Sequence, residues 1–226
     1  MPTDDPTDPD LVLASGSPRR LELLRRLGLA PAVRVSDVIE RREPDESPTG
    51  YTRRLAEEKA RDVARAVAST DLPRWILAAD TTVALEDEVL DKPAGSEQAR
   101  RMLRRLSGSC HEVLTSYCWL DRRERDARTE CVSTRVAMRE LTDAEIDAYL
   151  ASGEPFDKAG SYGIQALGGL FVERLEGTYF GVMGLPVADV FRTAVEIGAV
   201  EVHPLRDPES LESPPSNRDS NRDERR

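Results

Sequence analysis

The chain has 226 residues, of which 39% are hydrophobic and 33% charged, with a formal net charge of −10 at pH 7. This composition predicts one globular domain and excludes non-specific nucleic-acid binding. No apolar run approaches the ~20 residues of a membrane-spanning helix, and the acidic segment 1–10 is the opposite of a signal peptide. We therefore expect a cytoplasmic protein with no membrane or nucleic-acid partner.

Apolar runs and helical spacings alternate along the chain and predict a mixed α/β domain over residues 11–204. Composition predicts a disordered N-terminal extension, 1–10, and a disordered charged tail, 205–226. We predict strands over 11–15, 32–36, 75–79, 111–120, 128–138 and 170–175, and a hairpin over 82–90. We predict helices over 19–27, 51–68, 96–106, 187–197 and 142–150, the last with a capping box formed by Thr142 and Glu145.

Lysine is rare in this chain. Only Lys59, Lys92 and Lys158 occur among 32 lysines and arginines. Lysine is a compact point charge suited to a phosphate oxygen. A solvated surface charge is the alternative for each one, but the contexts AEEKA, LDKPAG and EPFDKAGSYGIQ are unlike an ordinary solvated face.

The segment LASGSPRR, residues 13–20, predicts an anion site. Ser17 can cap a helix that starts with Pro18 at its favoured first position. Arg19 and Arg20 then lie in the first turn, where the helix dipole is already positive. An anion would be met there by backbone N–H groups, hydroxyls and both guanidinium groups. The alternative is two exposed arginines whose repulsion is screened by salt.

Lys59 is the one charge on the apolar stripe of the predicted helix 51–68, in register with Leu55 and Val63. A lysine on such a face either extends its stem to solvent or meets a negative partner in a cleft.

The segment WILAADTTV predicts a strand that delivers Asp80 and Thr81 at its C-terminal end. Ligands collect outside that edge in open α/β sheets. Asp80 is therefore a candidate metal ligand or general base, although turn aspartates are common at strand ends.

Two further segments supply candidate contacts. Lys92 precedes Pro93, so its backbone is extended. The Gly-rich loop 160–169 lets backbone N–H groups approach a ligand, and Gln165 within it can contact a base edge. The motifs GxxxxGK[ST], GxSxG and HExxH are absent, and no GxGxxG follows a strand. The remaining cations, hydroxyls and carboxylates suit metal-assisted attack on a phosphate ester or anhydride.

The cysteines Cys110, Cys118 and Cys131 have no CxxC spacing, which argues against a zinc site and a disulfide scaffold. Cys110 precedes His111, but neighbours on a strand point to opposite faces. We therefore interpret Cys110 as structural rather than as a nucleophile paired with this histidine.

The ordered motifs resemble the Maf (septum formation) family over residues 11–197: LASGSPRR, LAEEKA, AADTTV, LDKP, LSGSCHEVLTS, EPFDKAGSYGIQALGG and GVMGLP. The resemblance implies an α/β fold similar to that of the inosine triphosphate pyrophosphatases, with a mixed twisted sheet flanked by helices and a central cleft. It also implies cleavage of a nucleoside triphosphate to the monophosphate and pyrophosphate with a divalent metal cation, Mg²⁺, Mn²⁺ or Co²⁺.

By matching motif, the resemblance implies that Asp80 is the catalytic proton acceptor and that Asp80 and Glu40 lie at the metal. The implied substrate-binding residues are Ser15, Ser17, Arg19, Arg20, Lys59, Thr81, Lys92 and Gln165. Thr81 together with Gln165 resembles the dTTP/UTP branch, whereas the 7-methyl-GTP branch would have Gln and Glu there. Modified pyrimidine triphosphates are further expected substrates, and a homodimer is an expected assembly.

One departure concerns the metal. The family often has an acidic pair where this chain has Ile39 and Glu40, which leaves one carboxylate. Two other functions stay open from the sequence: a nucleotide-binding regulator of cell division or septum formation with weak or no turnover, and a nucleotidyltransferase.

Overall fold

The computed structural model describes residues 10–66 and 73–201. The predicted disordered segments 1–10 and 205–226 lie outside the described residues except for Asp10, as do the last two residues of the predicted helix 51–68. The bounds 11–204 of the domain stay a prediction.

Seven strands and six α-helices make up most of the described part of the chain. The strands are β1 (Leu11–Ala14), β2 (Ala32–Val33), β3 (Trp75–Leu85), β4 (Glu88–Leu90), β5 (Cys110–Asp121), β6 (Asp126–Met138) and β7 (Val172–Glu176). The helices are α1 (Pro18–Arg26), α2 (Pro48–Ala66), α3 (Ser96–Leu106), α4 (Asp143–Ala151), α5 (Tyr179–Met183) and α6 (Val187–Glu196). Short 3-10 helices lie at Glu154–Asp157, Ala159–Ser161 and Leu167–Phe171.

These strands form a seven-stranded mixed sheet in the order β2-β1-β3-β5-β6-β7, with β4 paired to β3. β1 runs parallel to β2 and β3, and the other pairs are antiparallel. The sheet is flanked by helices, which confirms the predicted α/β class. No helix among residues 10–66 and 73–201 has the length and apolar character needed to cross a bilayer.

The alternation of side chains along the strands separates two apolar layers. Val12, Ala14, Ile76 and Ala78 point to the face covered by α2. Leu11, Leu13, Leu77 and Ala79 point to the opposite face, which is covered by α1 and α6. A third cluster joins the far ends of β3, β5 and β6 to α3 and α4. Both faces of β1 and β3 are thus buried, as their near-continuous apolar runs require.

β3 corrects one prediction. The strand 75–79 and the first arm of the hairpin 82–90 are a single strand, so Asp80 and Thr81 lie in its middle and not at its C-terminal end. The antiparallel register with β5 continues from Trp75 to Ala84, while the parallel partner β1 ends where Ala14 faces Ala78. Asp80 and Thr81 therefore lie beside the point where β1 stops, which leaves space next to them.

Other element ends differ modestly from prediction. β2 covers only 32–33, β7 spans 172–176, and α2 begins at Pro48. The capping box of α4 is confirmed, with Thr142 and Glu145 each accepting from the other's backbone N–H. Helix α5 was not predicted, because five residues are too few to show a helical period.

Candidate active site

A cleft of about 440 Å³ opens where β1 ends, between the β1–α1 turn, β3 and the Gly-rich loop. It is lined by every residue that the sequence nominated for substrate or metal: Ser15, Ser17, Arg19, Arg20, Glu40, Lys59, Asp80, Thr81, Lys92 and Gln165. Residues separated by up to about two thirds of the chain thus converge on one cavity, and this confirms the expected central cleft.

Lys59 is buried and holds two carboxylates at the floor of the cleft. Its Nζ donates to Asp80 Oδ1 and to Glu40 Oε1, both at 2.6 Å. Asp80 on β3 points toward α2 because it shares the face of Ile76 and Ala78, and Lys59 lies on the buried side of α2. The predicted negative partner of Lys59 is therefore present in this structure.

The charges around Glu40 decide its ionisation. Burial by itself would raise the pKa of the Glu40 carboxyl, but the charge and hydrogen bond of Lys59, with weaker contributions from Lys92 and Arg20, outweigh it. The pKa of Glu40 therefore lies below its ordinary value, and the carboxyl is an anion at neutral pH.

Arg20 is tied to three parts of the fold. Its Nε donates to Gly184 O at 2.8 Å, its Nη1 to Ser15 Oγ at 3.1 Å, and its Nη2 to Thr81 Oγ1 at 3.1 Å. Burial lowers the pKa of this guanidinium although Asp80 and Glu40 act in the opposite direction, and an arginine stays charged regardless. Two of its five N–H groups are left for a ligand.

The start of α1 has the expected layout with one correction. Ser17 occupies the N-cap position with extended backbone, but its side chain makes no capping hydrogen bond. Ser15 Oγ instead accepts from Ser17 N at 3.2 Å, and this leaves the Ser17 hydroxyl available to the cleft. Arg19 pairs with Asp157 at 3.3 Å across the mouth of the cleft.

The Gly-rich loop is held in place from behind by Glu154. Its carboxylate accepts from the backbone N–H groups of Leu167 at 3.0 Å and Gly168 at 3.2 Å, and from Tyr149 Oη at 2.8 Å. Lys158 donates to Glu154 O at 2.7 Å and to Asp157 at 2.5 Å. Gln165, half-buried at the cleft wall, is carried by this loop.

His111 on β5 forms a buried pair with Tyr162 of the same loop. His111 Nε2 lies 2.7 Å from Tyr162 Oη, and burial lowers the pKa of His111 to about 4. His111 is therefore neutral at pH 7. Cys110, its neighbour, is exposed, as expected for residues on opposite faces, and it forms no pair with the histidine.

Several residues around the cleft were not predicted. Thr115 Oγ1 lies 3.0 Å from Thr81 Oγ1 and donates to Gly181 O at 2.8 Å. Asp157 forms an ion pair with Arg19, and the Gly184 carbonyl accepts the hydrogen bond from Arg20 Nε. Each lies in a motif singled out by the sequence, but a hydroxyl on a strand or a backbone carbonyl carries no local signal of its role.

The donor set allows a divalent cation without a complete protein cage. No group of three or more His, Cys, Asp and Glu suited to a metal occurs within residues 10–66 and 73–201. Asp80 and Glu40 are nevertheless brought together on one Lys59 Nζ. One or two carboxylates plus substrate phosphates are what Mg²⁺ uses in nucleotide sites, so these residues fit such an ion.

Comparisons with known proteins show which proteins this chain is similar to. A dTTP/UTP pyrophosphatase of Chromobacterium violaceum is 48% identical over 84% of this chain and 96% of its own length. One from Anaeromyxobacter dehalogenans is 52% identical over 80% of this chain and 90% of its own. A solved nucleoside-triphosphatase / dITP/XTP pyrophosphatase of Mycobacterium abscessus is 14% identical, with a TM-score of 0.40, over 84% of this chain and 96% of that one. The model of the Maf-like protein family matches residues 10–197, and the chain belongs to that family.

Proposed function

We propose that this protein is a nucleoside triphosphate pyrophosphatase that hydrolyses dTTP and UTP, and modified pyrimidine triphosphates, to the monophosphate and pyrophosphate. The observation that carries the proposal is the Asp80–Lys59–Glu40 group at the floor of a cleft walled by cations. The curated relatives named dTTP/UTP pyrophosphatase support the substrate.

The triphosphate would lie along the start of α1, where backbone N–H groups, the Ser17 hydroxyl and Arg19 meet an anion. Lys92 lines the opposite part of the cleft and, among the described residues, has no ion pair or hydrogen bond that would hold it elsewhere. Lys59 retains one N–H beyond the two that hold carboxylates. These cations offset the charge of the pyrophosphate that leaves.

Asp80 would act as the proton acceptor. Its Oδ1 is held by Lys59, while Oδ2 accepts no hydrogen bond from a described residue and is free for a water molecule. The water oxygen bonds to the α-phosphorus, the bond to the bridging oxygen breaks, and Asp80 takes the proton. The hydrogen bond from Lys59 holds the Asp80 carboxylate in one orientation before the reaction.

Asp80 and Glu40 would hold the divalent cation, Mg²⁺, Mn²⁺ or Co²⁺, together with phosphate oxygens. Such an ion neutralises phosphate charge and lowers the pKa of bound water when present. Gln165, at the loop side of the cleft, would contact the base edge with its amide group.

A pyrophosphate-release screen over canonical and modified nucleoside triphosphates, with each of the three metals compared, tests the proposal. We expect turnover to be greatest with dTTP, UTP or a modified pyrimidine. Tight UTP binding without turnover over hours would instead indicate a regulator, and release that needs a second phosphorylated substrate would indicate a nucleotidyltransferase.

Location and assembly belong to the same proposal. A cytoplasmic location is the proposed one, to be checked by fractionation. A homodimer is the proposed assembly, and light scattering of the purified chain measures its mass directly. A monomer at all concentrations would remove the dimer from the proposal.

A further inference from the structure

We propose that Thr115 is a positioning residue that fixes the orientation of Arg20 through Thr81. The proposal deepens the function proposed above, because it concerns how the triphosphate site is held in shape. It depends on one hydrogen-bonded chain that crosses from α1 through two strands to α5.

The geometry places the two threonines side by side. Thr81 on β3 and Thr115 on β5 are directly opposed in the antiparallel register. Their hydroxyl oxygens lie 3.0 Å apart, and Thr115 is fully buried. Both side chains therefore point to the face of the sheet on which α1 and Arg20 lie.

The two terminal groups of this series, Arg20 Nη2 and Gly181 O, fix the direction of every hydrogen bond between them. Arg20 Nη2 can only donate, so Thr81 Oγ1 accepts from it at 3.1 Å. Gly181 O can only accept, so the Thr115 hydroxyl donates to it at 2.8 Å. The hydrogen between the two threonines must then come from Thr81. Gly184 O lies 3.5 Å from Thr81 Oγ1 and is the poorer acceptor.

The consequence is a series of three hydrogen bonds, here called the relay, in which each group donates to the next. It runs from Arg20 through Thr81 and Thr115 to Gly181 O. Bonds aligned in this way strengthen one another in a buried site. Removal of the Thr115 hydroxyl leaves the Thr81 hydroxyl without its best acceptor, and Gly181 O keeps only the backbone N–H of Gly184 as a donor. Thr81 is then free to turn toward Gly184 O, which also receives Arg20 Nε. The guanidinium would lose its fixed position at the cleft.

The fold offers a matched control. Thr134 on β6 is also buried, and its hydroxyl accepts from Thr178 N at 3.1 Å, at the N-cap of the same helix α5. It makes no hydrogen bond to Arg20, Thr81, Thr115 or Gly181 among the described residues. Thr134→Val therefore removes a comparable buried hydroxyl from the same neighbourhood without removing a hydrogen bond of the relay.

The test compares Thr115→Val, Thr115→Ser and Thr134→Val by two readouts. The first is the kinetics of pyrophosphate release from UTP, where we expect Thr115→Val to raise KM at least ~10-fold and to change kcat less, since small misplacement of a binding group is costly. The second is the Arg20 Nε–H signal in ¹⁵N-labelled protein, assigned by its absence in Arg20→Lys. We expect its solvent exchange to accelerate at least ~10-fold in Thr115→Val.

Thr115→Ser restores the hydroxyl and should return both readouts to within ~3-fold of the wild type, and Thr134→Val should leave them unchanged. Equal behaviour of Thr115→Val and Thr134→Val would overturn the proposal. If Thr115→Val does not fold, Thr115→Ala is measured in its place. A wild type that releases no pyrophosphate from any triphosphate would refute the proposed function, and the Arg20 signal would still decide the role of Thr115.

Discussion

Lys59 and Asp80 form an ion pair of 2.6 Å in which both side chains are about nine-tenths buried. Such a pair joins α2 to β3 inside the protein, and Glu40 shares the same ammonium group. Two carboxylates close together repel each other, and the Lys59 ammonium group between them offsets that repulsion. The pair therefore ties two elements of the fold together at the floor of the cleft.

Lys59→Met should destabilise the protein by about 3 kcal/mol at pH 7, because the buried Asp80 carboxylate loses its partner. Chemical denaturation of the variant and the wild type measures this difference. Glu40 fixes its pH dependence: a carboxyl whose pKa is lowered by folding contributes stability above its unfolded pKa and loses it as pH falls. The difference should therefore shrink between pH 5 and pH 3. A constant difference over that range would contradict the assignment.

Asp80→Asn should lower kcat at least ~100-fold, the lower end of a general-base contribution, while the fold stays intact. Pyrophosphate release and the thermal transition are the measurements. Asp121 supplies the control, since it is equally buried and pairs with Arg74 away from the cleft. Asp121→Asn should reduce stability and retain turnover. Unchanged turnover in Asp80→Asn would remove this residue from the mechanism.

The sequence predicted which residues form the cleft better than it predicted how they are held. Lys59 was recognisable because a charge interrupts an apolar stripe, and its inward position follows from helical spacing alone. Asp80 was placed wrongly at a strand end, because a carboxylate that ends an apolar run is locally indistinguishable from a turn residue. The strand continues past Asp80 because β3 pairs with β5 from Trp75 to Ala84.

The contacts of Arg20 could not be predicted for a related reason. Its partners Thr81 and Gly184 are 61 and 164 residues away in the sequence. A backbone carbonyl has no identity that a sequence can show, and its position depends on the path of the whole chain. Motif order indicated that these segments meet, but not that the guanidinium is anchored to protein on three sides.

His111 should make the protein less stable in acid. Its pKa is about 4 in the folded protein, below the ordinary value of 6.5, because burial disfavours the charged form. The unfolded chain binds the proton first as pH falls, so stability is lost from pH 6.5 downward until the folded pKa is reached. Between pH 7 and pH 5 the loss should be about 2 kcal/mol.

The measurement is the free energy of unfolding of the wild type and of His111→Asn at both pH values, and the variant should show the smaller loss. Parallel curves for His111→Asn and the wild type would show that His111 titrates as it does in the unfolded chain.

Gly184→Ala should impair both stability and turnover. Gly184 has φ 116° and ψ 7°, a conformation that side chains rarely adopt, and a Cβ would lie 3.5 Å from Thr81 Oγ1 and 3.7 Å from Arg20 Nε. We expect about 2 kcal/mol of destabilisation and at least ~10-fold lower kcat/KM, because the carbonyl that anchors Arg20 must move.

Gly198 is the control that separates the strain of a left-handed backbone from an effect on the Arg20 site. It has φ 71°, and a Cβ there would meet no atom within 4 Å. Gly198→Ala should cost only about 1 kcal/mol, the penalty of a left-handed conformation, with unchanged kcat/KM. If the two alanine variants lost stability equally and both kept full turnover, the Gly184 carbonyl would have no part in placing Arg20. A loss of turnover confined to Gly184→Ala would connect the turn after α5 to the triphosphate site.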